Sequence, residues 1–372
     1  MTPKTQKSVW IGKTDRIIKD LPVPSPEKGE VLIKNVAVAS NPKDWKLPYY
    51  IPDYAAVEGN DVAGYVEQVG EGVTKFKVGD KVAAFTKMRG GDRTGAYQQY
   101  SIAPSHTTFH LGLETSFEDG STLTLAYMTA VVGVYQRLGL PQPGQKKEGS
   151  KKEGLLIWGG ATTVGYFAIQ LAKVRCIDSW VSCWRTDGGR DVDTSTSICQ
   201  MSGLYVVAVA GSSAPLLSSL GVDEILDYRN KSHEDLVSEI RKAYDGQLHY
   251  AFDVVSENGT LEAIAEAFQG RSGAKATYTL TYDNKVLDEI KEKGVETVRT
   301  LVGTAHGGDS EALAEEYFDK VGRWVEEGSF KPMKVTIVPG GLGGVKEGLR
   351  RLQEGEVRGE KLVYRINETE GL

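Results

Sequence analysis

The run Leu155-Leu156-Ile157-Trp158, followed at once by Gly159-Gly160-Ala161-Thr162-Thr163-Val164-Gly165, constrains this chain more than any other stretch. Four apolar residues ending on glycine read as a short strand buried on both faces, and residues 164–173 read as a helix. Strand, glycine turn and helix in that order open a parallel α/β unit. Gly159 and Gly160 permit the tight turn, and Gly165 permits close packing of the helix on the sheet. The helix start then offers free amides and a partial positive charge, which suits a pyrophosphate. Read as GxGxxG from Gly160, the pattern has Thr162 where the middle glycine would stand. The hydroxyls of Thr162 and Thr163 can donate to phosphate instead. Taken alone, the motif leaves an ordinary αβ turn open.

The rest of the chain supplies the context. Candidate strands at 205–209, 224–226, 250–254 and 276–280 alternate with helix-like stretches at 214–220, 234–244 and 260–268. That alternation implies a doubly wound parallel sheet. The first third reads differently. Residues 31–39 are rich in β-formers, and 59–70, 78–85 and 96–102 are further short strands broken by Gly and Gly-Asp, which suggests a small β-barrel. Leu123, Ala126, Tyr127, Ala130, Val131 and Val134 recur at helical spacing. A helix at 311–327 and strands at 334–338 and 361–366 close the chain. With 372 residues, two domains are expected.

Several function classes are disfavoured. The formal net charge of -6 argues against a nucleic-acid partner, where a basic surface should dominate. No apolar run approaches the ~18 residues of a membrane span. The first seven residues lack the apolar stretch of a secretory leader, so the expected location is cytoplasmic, with no membrane partner. Cys176, Cys183 and Cys199 form no CxxC or CxxH pair, which argues against a disulfide framework or a structural zinc.

The end of the second strand of the parallel unit bears on the cofactor. Sites that prefer NAD place an acidic residue there, about 20 residues beyond the glycine motif, to hold the ribose 2′-OH. Here the strand ends Ala210-Gly211-Ser212-Ser213, with no carboxylate. A 2′-phosphate would meet hydroxyls and turn amides, which favours NADP(H). Tyr228 and Arg229, after the next strand, either stack on adenine and pair with that phosphate or form an ordinary surface turn.

One segment breaks the spacing. Gly165 to Gly211 is 46 positions, and residues 174–200 are polar, aperiodic and hold all three cysteines. Removing those 27 residues leaves 19 and restores the expected distance. The segment keeps frame, begins with Val and ends with Gln, as the borders of a retained intron would. A surface insertion is the alternative.

Gly64-Tyr65-Val66-Glu67-Gln68-Val69-Gly70, then Val73, Phe76, Gly79-Asp80 and Val82, resemble the signature of medium-chain dehydrogenases/reductases. The closing Gly359-Glu360-Lys361-Leu362-Val363 and the glycine-turn unit extend the resemblance over nearly the whole chain outside 174–200. It implies an α/β fold: a GroES-like β-barrel catalytic domain (1–127 and 307–372) plus a Rossmann doubly wound parallel-sheet domain for NADP(H) (128–306), with the active site in the cleft. Where the zinc-dependent branch carries a Cys and a His-Glu pair, this chain has Asn41 and Asn60-Asp61, so no metal is expected. Asn41-Pro42-Lys43-Asp44-Trp45-Lys46 looks like the zinc-independent branch, and within it like the fungal trans-acting enoyl reductases of polyketide synthesis.

Site residues follow by position from that resemblance. Lys43, Asp44, Trp45 and Lys46 would approach the nicotinamide end of the cofactor, and Ala161, Thr162, Thr163 and Val164 its diphosphate. Ala210, Gly211, Ser212, Ser213 and Tyr228 would hold the adenosine phosphate, with Leu280, Thr281, Val363 and Tyr364 as further neighbours. Substrate would lie along Val131, Val132, Gly133, Val134, Tyr135, Gln136, Arg137 and Leu138, and against Val302, Gly303, Thr304, Ala305 and His306. The implied reaction delivers hydride to the β-carbon of an α,β-unsaturated acyl thioester. The enolate oxygen then needs a donor. Lys46 is the first candidate and the Thr129 hydroxyl the second, and either can instead position the cofactor ribose. Tyr49 and Tyr50 are candidate acids or wall residues. The partner would be a small-molecule or carrier-bound acyl substrate, with a polyketide synthase as a protein partner and a monomer or homodimer as the assembly. A quinone or alkenal reductase, or a non-enzymatic NADPH-binding protein, stays open on the residues alone.

Overall fold

The computed structural model describes residues 2–143, 152–173 and 203–372. The segment 174–200, with its three cysteines, lies outside the described residues. In chain order, β1 (Thr5–Ile11) and β2 (Arg16–Pro22) form an antiparallel hairpin. β3 (Glu30–Ala39) leads into α1 (Pro42–Tyr50), β4 (Ala56–Val57) and β5 (Asp61–Val69). Next come β6 (Lys81–Phe85), β7 (Tyr100–Pro104), β8 (Thr108–His110), α2 (Phe117–Thr122) and α3 (Leu125–Val131). The glycine-turn unit supplies β9 (Gly154–Trp158), α4 (Thr163–Lys173), β10 (Tyr205–Ala210), α5 (Ala214–Ser219) and β11 (Glu224–Asp227). α6 (His233–Lys242), β12 (Leu248–Asp253), α7 (Thr260–Phe268), β13 (Lys275–Tyr278), α8 (Asn284–Glu292) and β14 (Glu296–Arg299) follow. α9 (Glu311–Glu326), β15 (Val335–Ile337), α10 (Val345–Gln353) and β16 (Lys361–Arg365) end the chain.

The chain divides into two compact units, Met1–Val132 with Ala161–Phe167 and Thr300–Leu372, and Gly133–Gly160 with Ala168–Arg299. In the first unit, β15-β16-β3-β5-β6-β8 run in that order with β7 added beside β3, and β2-β1-β4 form a smaller sheet. Both chain ends fill one core: Val31, Ile33, Val62 and Val82 pack with Val338, Leu349 and Leu362. Each such side chain, fully buried, contributes roughly 1.5–3 kcal/mol. Tyr127, Phe167, Phe318 and Phe330 form an edge-to-face and stacked aromatic group, which draws the 161–167 stretch into this unit.

In the second unit the sheet order is β11-β10-β9-β12-β13-β14, every pair parallel. The winding reverses between β9 and β12, and crevices for nucleotides open at such switch points. All five residues of β9 are buried, which explains its unbroken apolar run.

Local differences from the sequence expectations have physical causes. The strand expected at 96–102 begins only at Tyr100, because Ala96 donates its N–H to Glu58 and Gly59 carbonyls, and the Gln98 amide binds the Asp92 and Gly95 carbonyls. The apolar helix of 123–134 is regular only over α3 and then widens to π winding across Val132–Arg137. The β1–β2 hairpin, α1, α8, β14 and α10 were not read from apolar periodicity. α1 carries two prolines, and it starts because Asn41 is extended, Pro42 has a preset φ, and the Asp44 carboxylate accepts the Asn41 N–H at 2.8 Å.

Candidate active site

The start of α1 is a dense charge cluster. The Lys43 ammonium lies 2.7 Å from Asp44 Oδ1 and 2.6 Å from Glu58 Oε2. The Tyr97 hydroxyl donates to Asp44 Oδ2 at 2.5 Å, its ring meets Tyr364 edge-on at 5.9 Å, and the Tyr364 hydroxyl reaches Ser40 Oγ at 3.2 Å. Burial pulls the Lys43 ammonium down, but Asp44 and Glu58 outweigh it and hold it above the ordinary lysine value. Burial pushes the Glu58 carboxyl up, with Lys43 opposing. Burial and then Asp44 push Tyr97 well above the usual phenol range. Lys43 is therefore a fixed cation and a poor acid. Lys46, on the same helix, sits 5.5 Å from the Trp45 ring centroid. The Trp45 Nε1–H is buried with no hydrogen-bond acceptor among the described residues. Tyr49 and Tyr50 are exposed.

The positions that would carry metal ligands hold two amides and a carboxylate already engaged by protein. Asn60 Nδ2 donates to the Thr86 carbonyl at 3.1 Å and to its Oγ1 at 3.2 Å. Asn41 Nδ2 donates to Asp61 Oδ2 at 2.6 Å, and Lys361 Nζ lies 2.8 Å from that same oxygen. No group of three or more His, Cys, Asp or Glu converges among the described residues. This donor set does not suit zinc, which takes thiolate, imidazole or free carboxylate ligands.

The glycine turn is tight and runs directly into α4. Gly159 adopts φ +89°, and a Cβ on Gly160 would stand 3.0 Å from Ala208 Cβ. Ala161 and Thr162 complete the turn, and Thr163 and Val164 open α4. Thr162 Oγ1 accepts the Gly165 N–H at 3.1 Å, so it caps the helix while its own hydroxyl proton stays available to donate.

At the end of β10, a Cβ on Gly211 would lie 3.1 Å from the Tyr228 hydroxyl, so the half-exposed Tyr228 ring covers the Gly211 turn. Ala210 precedes it, and Ser212 and Ser213 follow. Ser213 makes no side-chain cap to α5. Arg229 turns onto Asp227 with Nη2–Oδ2 at 2.6 Å, and that hydrogen bonding holds Asp227 down at about 2. Leu280 and Thr281 follow β13 and are half-buried and exposed.

Sequence reasoning passed over Asp253, at the end of β12 and paired in register with Trp158 at the switch point. Its buried carboxylate accepts the Val255 and Ser256 N–H groups at 3.1 and 2.8 Å, and the Thr260 and Tyr282 hydroxyls at 2.6 and 3.3 Å. Burial still dominates and pushes it up to about 6. An Asp ending an apolar strand was the available signal.

In the helix assigned to substrate, the buried Thr129 hydroxyl donates to the Leu125 carbonyl at 2.8 Å, so its proton is already committed. Val131 ends α3, and Val132, Gly133, Val134, Tyr135, Gln136 and Arg137 form the π turn, with Leu138 N–H bonded to the Gly133 carbonyl at 3.0 Å. A Cβ on Gly133 would strike the Phe252 ring at 2.4 Å, so glycine is required there. The Tyr135 hydroxyl donates to the Leu171 carbonyl at 2.9 Å.

Val302, Gly303, Thr304 and Ala305 form a 3-10 turn, and the Ala305 carbonyl faces His106 Nε2 at 3.0 Å. His306 Nε2 meets the Phe85 carbonyl at 3.1 Å, which assigns the proton to that nitrogen, and burial lowers the ring to about 4. His306 is thus neutral near pH 7. Val363 pairs with Ala39 and lies buried beside Tyr364 in β16.

A mostly antiparallel β unit built from both ends of the chain and a parallel sheet whose winding reverses between β9 and β12 define the fold. The alcohol dehydrogenase GroES-like domain matches residues 27–112. A trans-enoyl reductase of Gibberella fujikuroi is 31% identical, covering 90% of this chain and 91% of that protein. A trans-enoyl reductase of Aspergillus sclerotiorum is 29% identical over 94% and 96% of the two chains. The fold is shared with the quinone oxidoreductase of Coxiella burnetii, TM-score 0.71 at 20% identity over 97% and 99% of the chains. The chain belongs to the medium-chain dehydrogenase/reductase family, with fungal trans-enoyl reductases among its relatives.

Proposed function

We propose that this chain is a zinc-independent, NADPH-dependent trans-acting enoyl reductase that saturates the α,β-double bond of a polyketide or other acyl thioester. The observation carrying the substrate class is near-full-length similarity to proteins named trans-enoyl reductases. Cofactor preference rests on the acid-free end of β10, where Ser212, Ser213 and Tyr228 surround the Gly211 turn. Zinc independence rests on Asn41, Asn60 and Asp61 being spent on protein partners.

The cofactor, when bound, supplies the hydride. The chain's own groups bind the cofactor and meet the enolate, and the α-carbon then takes one proton from water to complete the saturated thioester. The Thr162 hydroxyl and the first amides of α4 hold the diphosphate, and Ser212 and Ser213 receive the 2′-phosphate. Lys46 donates to the oxygen that becomes an enolate, a role for which a preorganised cation supplies several kcal/mol. Thr129 would first have to release the Leu125 carbonyl, which ranks it second.

The test is NADPH and NADH oxidation measured against enoyl thioesters and quinones side by side, on the full chain and on a variant lacking residues 174–200. Turnover of the thioester with NADPH is expected. Tight NADPH binding with no thioester turnover in either protein would overturn the assignment, and quinone turnover alone would replace it.

A further inference from the structure

We infer that the Lys361 ammonium is a resident cation, seated on Asp61 and Asn41, that takes the place of a metal in this chain and fixes the start of α1. The inference rests on the zinc-independent half of the reading above and not on the enoyl substrate. Lys361 is 3% exposed and Asp61 0%, so this ion pair is closed to water. Lys361 Nζ lies 2.5 Å from Asn41 Oδ1 and 2.8 Å from Asp61 Oδ2. Asn41 Nδ2 donates to the same Asp61 oxygen, while Asp61 Oδ1 accepts the Leu125 N–H at 2.8 Å and the Thr124 hydroxyl.

Four donors on one carboxylate use its lone pairs. A divalent ion entering here would find no free oxygen on Asp61 and would face a like charge a hydrogen bond away. The lysine thus closes the site chemically as well as sterically. It also ties distant parts of the chain together: Lys361 opens β16, Asp61 opens β5, Thr124 and Leu125 begin α3, and Asn41 is the cap of α1.

The experiment compares wild type, Lys361→Ala and the charge-neutral double variant Asp61→Asn/Lys361→Met. Metal content is read by elemental analysis, and melting temperature is read without additive, with methylammonium and with Co2+. Wild type should hold no stoichiometric metal and respond to neither cation. Lys361→Ala leaves an uncompensated buried carboxylate and should melt lower by about 10 °C. It should recover part of that loss in methylammonium or Co2+. The double variant should melt close to wild type and ignore both cations, and if Lys361→Ala does not fold, a double variant that also fails to fold overturns the inference.

One equivalent of zinc in wild type would overturn the inference. So would a Lys361→Ala protein indifferent to both cations, or a double variant that melts as low as the single, since the lysine would then act through packing. No readout involves turnover, so failure of the enoyl-reductase reading and failure of this inference are separable.

Discussion

Replacing Asp253 by Asn removes one proton-binding site from the centre of the parallel sheet with almost no change of shape. The carboxyl is displaced from 3.8 to about 6, and burial is the largest cause. At 1.36 kcal/mol per unit, ionising it in the folded chain costs about 3 kcal/mol more than in the unfolded chain. The sign follows from linkage. A carboxyl with a raised folded pKa binds its proton more tightly when folded, so stability is highest below the ordinary value and falls as pH rises through the window from 3.8 to about 6. Most of the loss falls between about pH 4.5 and about pH 7.5, and there it amounts to about 2 kcal/mol. Asn keeps an oxygen for the Val255 and Ser256 N–H groups and offers its NH2 to the Thr260 and Tyr282 hydroxyls, both of which can accept. Urea unfolding of both proteins at the two pH values reads the difference, and any pH-independent offset cancels. The stability gap should move in favour of Asp253→Asn by about 2 kcal/mol on going to the higher pH. A gap that stays constant would refute the reasoning, because it would mean that the four hydrogen bonds offset burial in full.

Ser212→Asp places a carboxylate where the 2′-phosphate is expected, and it should raise KM for NADPH about tenfold or more while sparing NADH. Steady-state kinetics with both cofactors checks it, and equal effects on the two would remove the cofactor assignment. Lys46→Ala should lower kcat about 100-fold with little change in NADPH affinity if the ammonium meets the enolate. A loss confined to NADPH binding would reassign Lys46 to cofactor positioning. His306 is held down at about 4, so His306→Gln should leave the pH profile of kcat/KM between about 5 and 8 unmoved. Its lowered pKa also makes protonation destabilising, so stability should fall in wild type as pH drops from 6.5 toward 4, and a variant lacking the imidazole should show a shallower fall.

Some of this protein is determined by the sequence alone because the causes are local. The apolar run at β9, the glycines that follow it and the strand–helix alternation each depend on neighbours a few positions away, and together they specify a parallel, doubly wound sheet. The missing carboxylate after β10 is equally local. Other features arise only when distant segments meet. Lys361 reads as part of a family signature, but its pairing with Asn41, 320 positions earlier, depends on β16 lying beside β3. The shift of Asp253 by burial is likewise invisible in composition or spacing. Backbone pattern is encoded by short-range sterics and apolar periodicity, whereas the partner and dielectric surroundings of a charged or hydroxyl group are set by tertiary packing. Local chemistry thus names the sheet and its nucleotide turn, and the folded core decides which charges near them are free to act.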